Sequence, residues 1–247
     1  MPIPIALQLY SVRDEAAKDL FGVLRRVAEM GYAGVEFAGY YGHPTDEIRS
    51  ALDELGLKAE GTHTGINELS DDKLAATVEI HHTLGAEYVI VPWLPEDSRN
   101  TPEACKATAA RLTEVTDRLR NEGLRCGFHA HEGDMRPMNG GQSAWYVLAE
   151  HTPADFIMQY DTANGMSGGA DPVKPLLALP GRSVSVHLKE VGDAAIGDGP
   201  IPWAEVFEAC ETVGGTQWYV VEHEAGSGPE AMAAVEKCLK NLRGMGK

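Results

Sequence analysis

RCGFHAHEGD (residues 125–134) and WYVVEHE (218–224) are two of four strand-like stretches in the second half of this chain. The other two are FIMQYDTA (156–163) and SVSVHLKE (183–190). In each stretch, β-branched or aromatic residues lead into a metal-ligand side chain: Asp134 or Glu132, Asp161, His187 and Glu222. Ionisable groups at the ends of parallel strands share one space only in a closed barrel or a crevice. The four stretches therefore predict a metal-centred site.

A repeating unit extends this pattern along the chain. The unit is an amphipathic helix, a glycine and a short apolar strand, as in EMGYAGVEFAG (29–39), ELGLKAEGTHTG (54–65) and TLGAEYVIVPWL (83–94). Glycine just past a helix ends it, and helices between strands force parallel pairing. Eight such strands are predicted, which in 247 residues matches a single (β/α)8 barrel domain over 1–247. An open doubly wound sheet is the alternative, but no glycine-rich phosphate loop follows the first strand.

The charge balance argues against two kinds of partner. The chain has 21 Lys and Arg against 37 Asp and Glu, a formal net charge of −16. Such a surface repels phosphate backbones and anionic lipid, so we expect neither a nucleic-acid nor a membrane partner. The four cysteines form no CxxC motif, and neither a signal peptide nor a bilayer-spanning run is evident. We expect a cytoplasmic protein, and a homo-oligomer is compatible with the sequence.

The ligand types at the strand ends indicate the metal. Three carboxylates and one imidazole make a hard, oxygen-rich set, which suits Mn²⁺, Mg²⁺, Co²⁺ or Zn²⁺. We therefore predict one divalent ion, held by Asp134, Asp161, His187 and Glu222. A divalent ion would also offset the repulsion between the acids and leave positions open for substrate oxygens.

Proton-transfer groups are predicted at the same strand ends. His129 and His131 are two residues apart on a strand, so they share a face, and imidazole titrates near neutrality. His131 is the preferred acid/base because it lies nearer the C-terminal mouth of the strand. Lys189 could stabilise a developing enolate oxygen, and Glu222 is an alternative proton carrier.

Three further residues at or near the ends of earlier predicted strands are expected to contact a substrate. They are Glu36, His63 and Trp93.

Residues 128–224 resemble the sugar phosphate isomerase/epimerase family with the xylose-isomerase-like barrel. The matching pieces include FHAHEGD, RPMNGG, QYDTAN, VHLKE, GDGPIPW and WYVVEHE, with weaker matches in LQLYSVRD and MGYAGVE. The resemblance implies a (β/α)8 TIM barrel that holds one divalent metal on strands five to eight. It carries over directly onto Asp161, His187 and Glu222.

Strand five departs from the family pattern. Many relatives read YHNHDFEF where this chain reads FHAHEGDM, so that Asp134 stands in place of a glutamate. Aspartate is one methylene shorter, and it would ligate only after a backbone shift or through water. Glu132 and His129 are the alternative ligands from this strand.

The resemblance and the strand ends together indicate a metal-dependent sugar or sugar phosphate isomerase or epimerase. Such an enzyme would remove a proton next to a carbonyl of a sugar or keto-polyol. The alternative is a lyase or dehydratase acting on a keto-sugar or inosose with the same site. An abasic-site endonuclease is disfavoured by the acidic surface, and a non-catalytic sugar-binding protein is the remaining possibility.

Overall fold

Eight parallel strands alternate with helices in the computed structural model, which describes residues 2–139 and 141–247. The strands are β1 (Ile5–Gln8), β2 (Gly34–Phe37), β3 (Lys58–His63), β4 (Tyr88–Val91), β5 (Arg125–His129), β6 (Ile157–Gln159), β7 (Ser185–Leu188) and β8 (Trp218–Val221). The helices are α1 (Arg13–Met30), α2 (Thr45–Leu55), α3 (Leu74–Leu84), α4 (Pro102–Asn121), α5 (Glu132–Met135), α6 (Ala144–His151), α7 (Thr162–Ser167), α8 (Lys174–Ala178), α9 (Trp203–Ala209) and α10 (Pro229–Gly244).

The sheet closes into a barrel. Its order runs from β6 through β1 to β8 and β7, and each paired strand is parallel to its neighbour. At the remaining gap, a parallel bridge joins Asp161 to His187, whose N–H donates to the Tyr160 carbonyl at 2.8 Å. The predicted (β/α)8 TIM barrel is thus confirmed.

Helix ends lie where the sequence places glycine. Gly56 follows α2 with φ of 68°, and its N–H donates to the Asp53 carbonyl at 3.3 Å. Gly85 follows α3 in the same left-handed conformation, with φ of 67°. A residue with a Cβ adopts that conformation at a cost, so glycine sets the point at which the chain turns back toward the sheet.

The barrel interior is divided into an apolar and a polar layer. Tyr88, Ile90, Ile157 and Val184 form a small buried cluster inside the barrel, apart from the larger core between strands and helices. At the C-terminal strand ends, polar side chains take the place of this apolar cluster and form hydrogen bonds across the barrel. For example, the Gln159 amide of β6 donates to Glu36 of β2 at 2.7 Å. The apolar layer therefore forms the floor beneath a polar site.

Two further findings concern membrane-spanning helices and the cysteines. Within the part of the chain that the structure describes, no helix is both long and apolar enough to cross a membrane. The four cysteines are free and buried, as expected for packing thiols.

We predict that Gly127→Ala destabilises the protein by about 1–3 kcal/mol, because the interior has no room for the added methyl group. Gly127 is two residues before His129 on β5, and a Cβ there would lie 2.7 Å from the Ile157 Cβ and 2.7 Å from the Ile90 Cδ1. Urea unfolding measures the loss. The matched control is Gly65→Ala, since Gly65 has φ of −60° and open space around it. Equal stability of the two variants would contradict tight packing of the floor.

Candidate metal centre

Four buried side chains converge where strands β5 to β8 end. One donor atom from each lies within 4.8 Å of the donor atoms of the other three: His129, Asp161, His187 and Glu222. Two imidazoles and two carboxylates brought together from four strand ends are a donor set that a divalent ion accepts. We call these four residues the donor cluster.

Asp161 has a carboxylate oxygen that lacks a partner in the protein. Its Oδ1 accepts the Asn164 N–H at 2.7 Å and so caps α7, whereas the buried Oδ2 has no hydrogen-bond partner among the described residues. Burial raises the pKa of Asp161 to about 6, although the Lys189 ammonium acts in the opposite direction. An unpartnered buried oxygen that faces other donors fits a cation, because burying it otherwise costs free energy.

His187 lies between two carboxylates. Its Nδ1 is 2.6 Å from Glu222 Oε2 and 4.0 Å from Asp161 Oδ2, and its Nε2 is 2.7 Å from Glu36 Oε2. Burial alone would lower the pKa of His187, but Glu36 and Glu222 outweigh it and raise the pKa to about 10. The Nδ1 side thus faces the donor cluster, and the Nε2 side is fixed by Glu36.

Glu36 lies beneath the donor cluster and not on the wall of the cavity above it. It is 0% exposed, and its carboxylate accepts from the Gln8 amide at 2.6 Å and the Gln159 amide at 2.7 Å. Burial would raise the pKa of Glu36, but the His63 and His187 rings outweigh it and lower the pKa. From the sequence, Glu36 was expected to contact substrate. Its buried position instead suits a residue that orients His187, as carboxylates behind metal-binding histidines do.

Gln159 orients the histidine of β5. Its amide group donates to Glu36 and, at 2.9 Å, to the Ser185 hydroxyl, so its Oε1 must face the rings of His129 (3.0 Å) and His63 (3.1 Å). His129 Nδ1–H therefore donates to Gln159, which leaves the other ring nitrogen as a lone-pair donor. Burial lowers the pKa of His129 well below its ordinary value, which keeps the ring neutral. Gln159 was not among the residues predicted from the sequence; the signal available was a polar residue on an apolar strand, two positions before Asp161.

Asp134 does not lie in the donor cluster. The chain turns into α5 directly after β5, and Asp134 accepts the His131 backbone N–H at 2.9 Å, as a capping residue does. Its Oδ1 is 3.2 Å from Arg99 Nη1. Glu132, the other acid considered, has an exposed side chain that bonds Arg136 at 3.1 Å. Of the three candidates from strand five, the structure brings only His129 to the other donors.

A cavity of about 560 Å³ opens above the donor cluster. Its lining includes five of the predicted site residues: His63, Trp93, His129, His131 and Glu222. The pKa of His131 is lowered to about 4, chiefly by burial, and its Nδ1 has no partner among the described residues. A neutral imidazole that is not already engaged is available to accept a proton.

Lys189 is held at the edge of this site by two acids. Its Nζ donates to Glu222 Oε1 at 3.2 Å and also bonds Glu224. Burial would lower the pKa of Lys189, but Asp161, Glu222 and Glu224 raise it above its ordinary value, so the ammonium stays charged.

The fold is a (β/α)8 barrel, and its donor cluster has the residue types and spacing to hold a divalent ion. The chain belongs to the xylose isomerase-like TIM barrel family, whose family model matches residues 24–243. This confirms the predicted family resemblance.

Individual relatives share the barrel over most of its length. A protein named inosose dehydratase, from Geobacillus kaustophilus (strain HTA426), is 23% identical, and the match covers 82% of this chain and 79% of that protein. A sugar phosphate isomerase/epimerase structure from Parabacteroides distasonis has a TM-score of 0.86 at 20% identity, covering 98% of this chain and 96% of that one. The structure of the IolI protein with a bound zinc atom has a TM-score of 0.74 at 15% identity, covering 97% and 96%. At these identities the structural likeness establishes the fold.

We predict that Glu36→Gln weakens binding of Zn²⁺ or Mn²⁺ by about 10- to 100-fold while the ion stays in the donor cluster, because His187 loses the carboxylate that orients it. Titration of chelator-treated protein followed by elemental analysis measures both the affinity and the expected stoichiometry of one ion per chain. Glu79→Gln, an exposed change on α3, is the control. Unchanged affinity in Glu36→Gln would show that Glu36 does not support the metal site.

A second pair of variants decides which residue of the β5 region is the ligand. His129→Ala should lower metal affinity on the order of 100-fold or more, since it removes a donor. Asp134→Asn, which keeps the shape of the side chain, should change affinity only a few-fold because Asp134 bonds Arg99 and the His131 backbone. The same metal titration measures both, and thermal unfolding checks that each variant is folded. The reverse order of effects would restore Asp134 as the ligand.

Proposed function

We propose that this protein is a divalent-metal-dependent enzyme that removes a proton next to a carbonyl of a sugar or related polyol, as an isomerase or epimerase. One observation carries the proposal: a buried cluster of four metal donors lies under an open cavity, with an unengaged neutral histidine on the cavity wall. A barrel without catalytic chemistry would have no reason to bury these groups together at its C-terminal end.

The donor cluster fits a divalent ion, with His129, Asp161, His187 and Glu222 as its ligands. The unpartnered Asp161 Oδ2 is the clearest sign, and the zinc atom in the IolI structure gives outside support. When bound, such an ion would polarise the substrate carbonyl and stabilise negative charge on its oxygen.

His131 is the proposed base. It lines the cavity, and its lowered pKa keeps the imidazole neutral at physiological pH, so it can accept a proton from the carbon next to the carbonyl. Asp134 fixes the start of α5 by accepting the His131 backbone N–H, which holds the imidazole at the rim of β5. Returning the proton to the neighbouring carbon, with a hydroxyl proton passing from one substrate oxygen to the other, gives isomerisation. Epimerisation requires a second group that delivers a proton to the opposite face of the same carbon.

Lys189 is proposed to stabilise negative charge that develops on a substrate oxygen. Its ammonium stays protonated and lies within hydrogen-bond distance of Glu222 at the edge of the donor cluster. Glu222 is a weaker candidate for moving the proton, because its two oxygens already accept from His187 and Lys189. Burial would raise the pKa of Glu222, but the hydrogen bond from His187 and the charges of His187 and Lys189 outweigh it and hold the pKa well below its ordinary value.

Dehydration is the second candidate outcome, favoured by the relative named inosose dehydratase. It shares the first step, and the protonated Lys189 would then assist departure of a hydroxyl group from the adjacent carbon. Cleavage of DNA is not favoured, since a formal charge of −16 repels a phosphate backbone.

We predict that the metal-loaded protein exchanges a carbon-bound hydrogen of its substrate with D₂O, and that His131→Ala lowers the rate by about 10²- to 10⁴-fold with the metal retained. NMR of ketoses and keto-polyols incubated with the protein detects the exchange. In a parallel reaction in H₂O, mass spectrometry separates the outcomes: a product of unchanged mass indicates isomerisation or epimerisation, and a product lighter by one water indicates dehydration.

His82→Ala, an exposed histidine of α3, is the matched control and should keep full activity. Full exchange activity in His131→Ala would rule out this histidine as the base. Absence of exchange with every carbonyl substrate would contradict the proposed reaction.

A further inference from the structure

From the charges and aromatic groups on the cavity wall, we infer that the substrate is an uncharged polyhydroxylated ring compound, with neither phosphate nor carboxylate. This inference rests on the proposed function and names the substrate class of the same site. The wall combines exposed aromatic rings with acidic side chains, and the nearby cations are already paired.

The charged residues on the cavity wall are acids. Among the described residues that line the cavity, Glu132, Glu222 and Glu224 are the carboxylates, and no lysine or arginine is present. Lys189, the nearest cation, bonds both Glu222 and Glu224. A phosphate group entering this cavity would meet like charge, which raises the free energy of binding.

Other cations near the rim are also engaged. Arg136 bonds Glu132, and Arg99 lies 3.2 Å from Asp134 and donates to the Leu94 carbonyl. Arg13 stacks on the Tyr10 ring at 4.3 Å and donates to the Tyr10 carbonyl. None of these three arginines lines the cavity.

The loop after β7, where barrels of this architecture often bind phosphate, is occupied by a side chain of the protein itself. Glu190 is 2% exposed. Its carboxylate accepts the backbone N–H of Val191 at 3.1 Å, the N–H of Ile201 at 3.3 Å and the indole N–H of Trp203 at 2.9 Å. These are the donors that a phosphate would need, and an internal carboxylate already holds them.

A divalent ion in the donor cluster would not give the cavity the excess positive charge that a phosphate group would need. Asp161 and Glu222 together carry two negative charges, which balance a divalent ion. The ion would still bind neutral hydroxyl and carbonyl oxygens through its open coordination positions.

Two aromatic rings favour an uncharged ring on the substrate. Trp93 is 54% exposed and Tyr10 is 44% exposed, and both line the cavity. A sugar or cyclitol ring has an apolar face of C–H groups that packs against such a ring, and its hydroxyl groups can bond the surrounding acids and imidazoles.

Matched pairs of probes test the inference: myo-inositol with myo-inositol 1-phosphate, and D-fructose with D-fructose 6-phosphate. We expect at least one neutral member to bind the metal-loaded protein and to perturb Trp93 fluorescence, a signal that Trp93→Phe removes. Its phosphorylated partner should bind at least about tenfold more weakly. Glu132→Gln should reduce that ratio several-fold, whereas Glu54→Gln, an equal charge change on the outer surface of α2, should not.

Equal or tighter binding of the phosphorylated members would overturn the inference, as would failure of both neutral probes to bind up to about 100 mM. The outcome is separable from the proposed reaction. If the neutral probes bind but no carbon-bound hydrogen exchanges with solvent, the proposed reaction is contradicted and the preference for uncharged substrates stands. If hydrogen exchange occurs only with phosphorylated sugars, the proposed reaction stands and the preference for uncharged substrates is contradicted.

Discussion

The site depends on one pair of hydrogen bonds: the imidazole of His187 is buried between the carboxylates of Glu36 and Glu222 and bonds both of them. Buried charges are stable only when each has a partner, and removing one partner leaves the other uncompensated. Glu36 therefore needs the amide donors of Gln8 and Gln159. The same amide of Gln159 also orients the ring of His129. The orientation of His129 is therefore linked, through Gln159 and Glu36, to that of His187.

This polar layer is costly to the fold, and the apolar floor beneath it offsets part of that cost. Tyr88, Ile90 and Ile157 fill the barrel below the site, and the two isoleucines leave no space beside Gly127. Burial and the nearby Glu36 raise the pKa of Glu60 well above its ordinary value, which favours the neutral form of this buried acid. A rigid floor keeps the donors within reach of one another before any ion arrives, which is what preorganisation of a metal site requires.

The end of β5 changes the chemical character of the centre. With His129 in place of an acid, the donor set has two imidazoles and two carboxylates. Imidazole suits Zn²⁺ and related transition metals better than Mg²⁺, so in the proposed metal site this donor set would favour such metals more than the oxygen-rich set expected from the sequence. Asp134 lies outside the donor cluster, where it caps α5 and pairs with Arg99, and its bond to the His131 backbone supports that residue.

The sequence alone determined the eight parallel strands, and it placed three residues of the donor cluster, Asp161, His187 and Glu222, at neighbouring strand ends. These follow from local rules: glycine ends helices, helices between strands enforce parallel pairing, and the last residues of neighbouring strands meet at one edge. The tertiary structure decided the position of Glu36 beneath His187, the role of Gln159 and the place of His129 beside the other donors. Those features depend on distances across the closed barrel and on the direction the chain takes into α5, which no local pattern encodes.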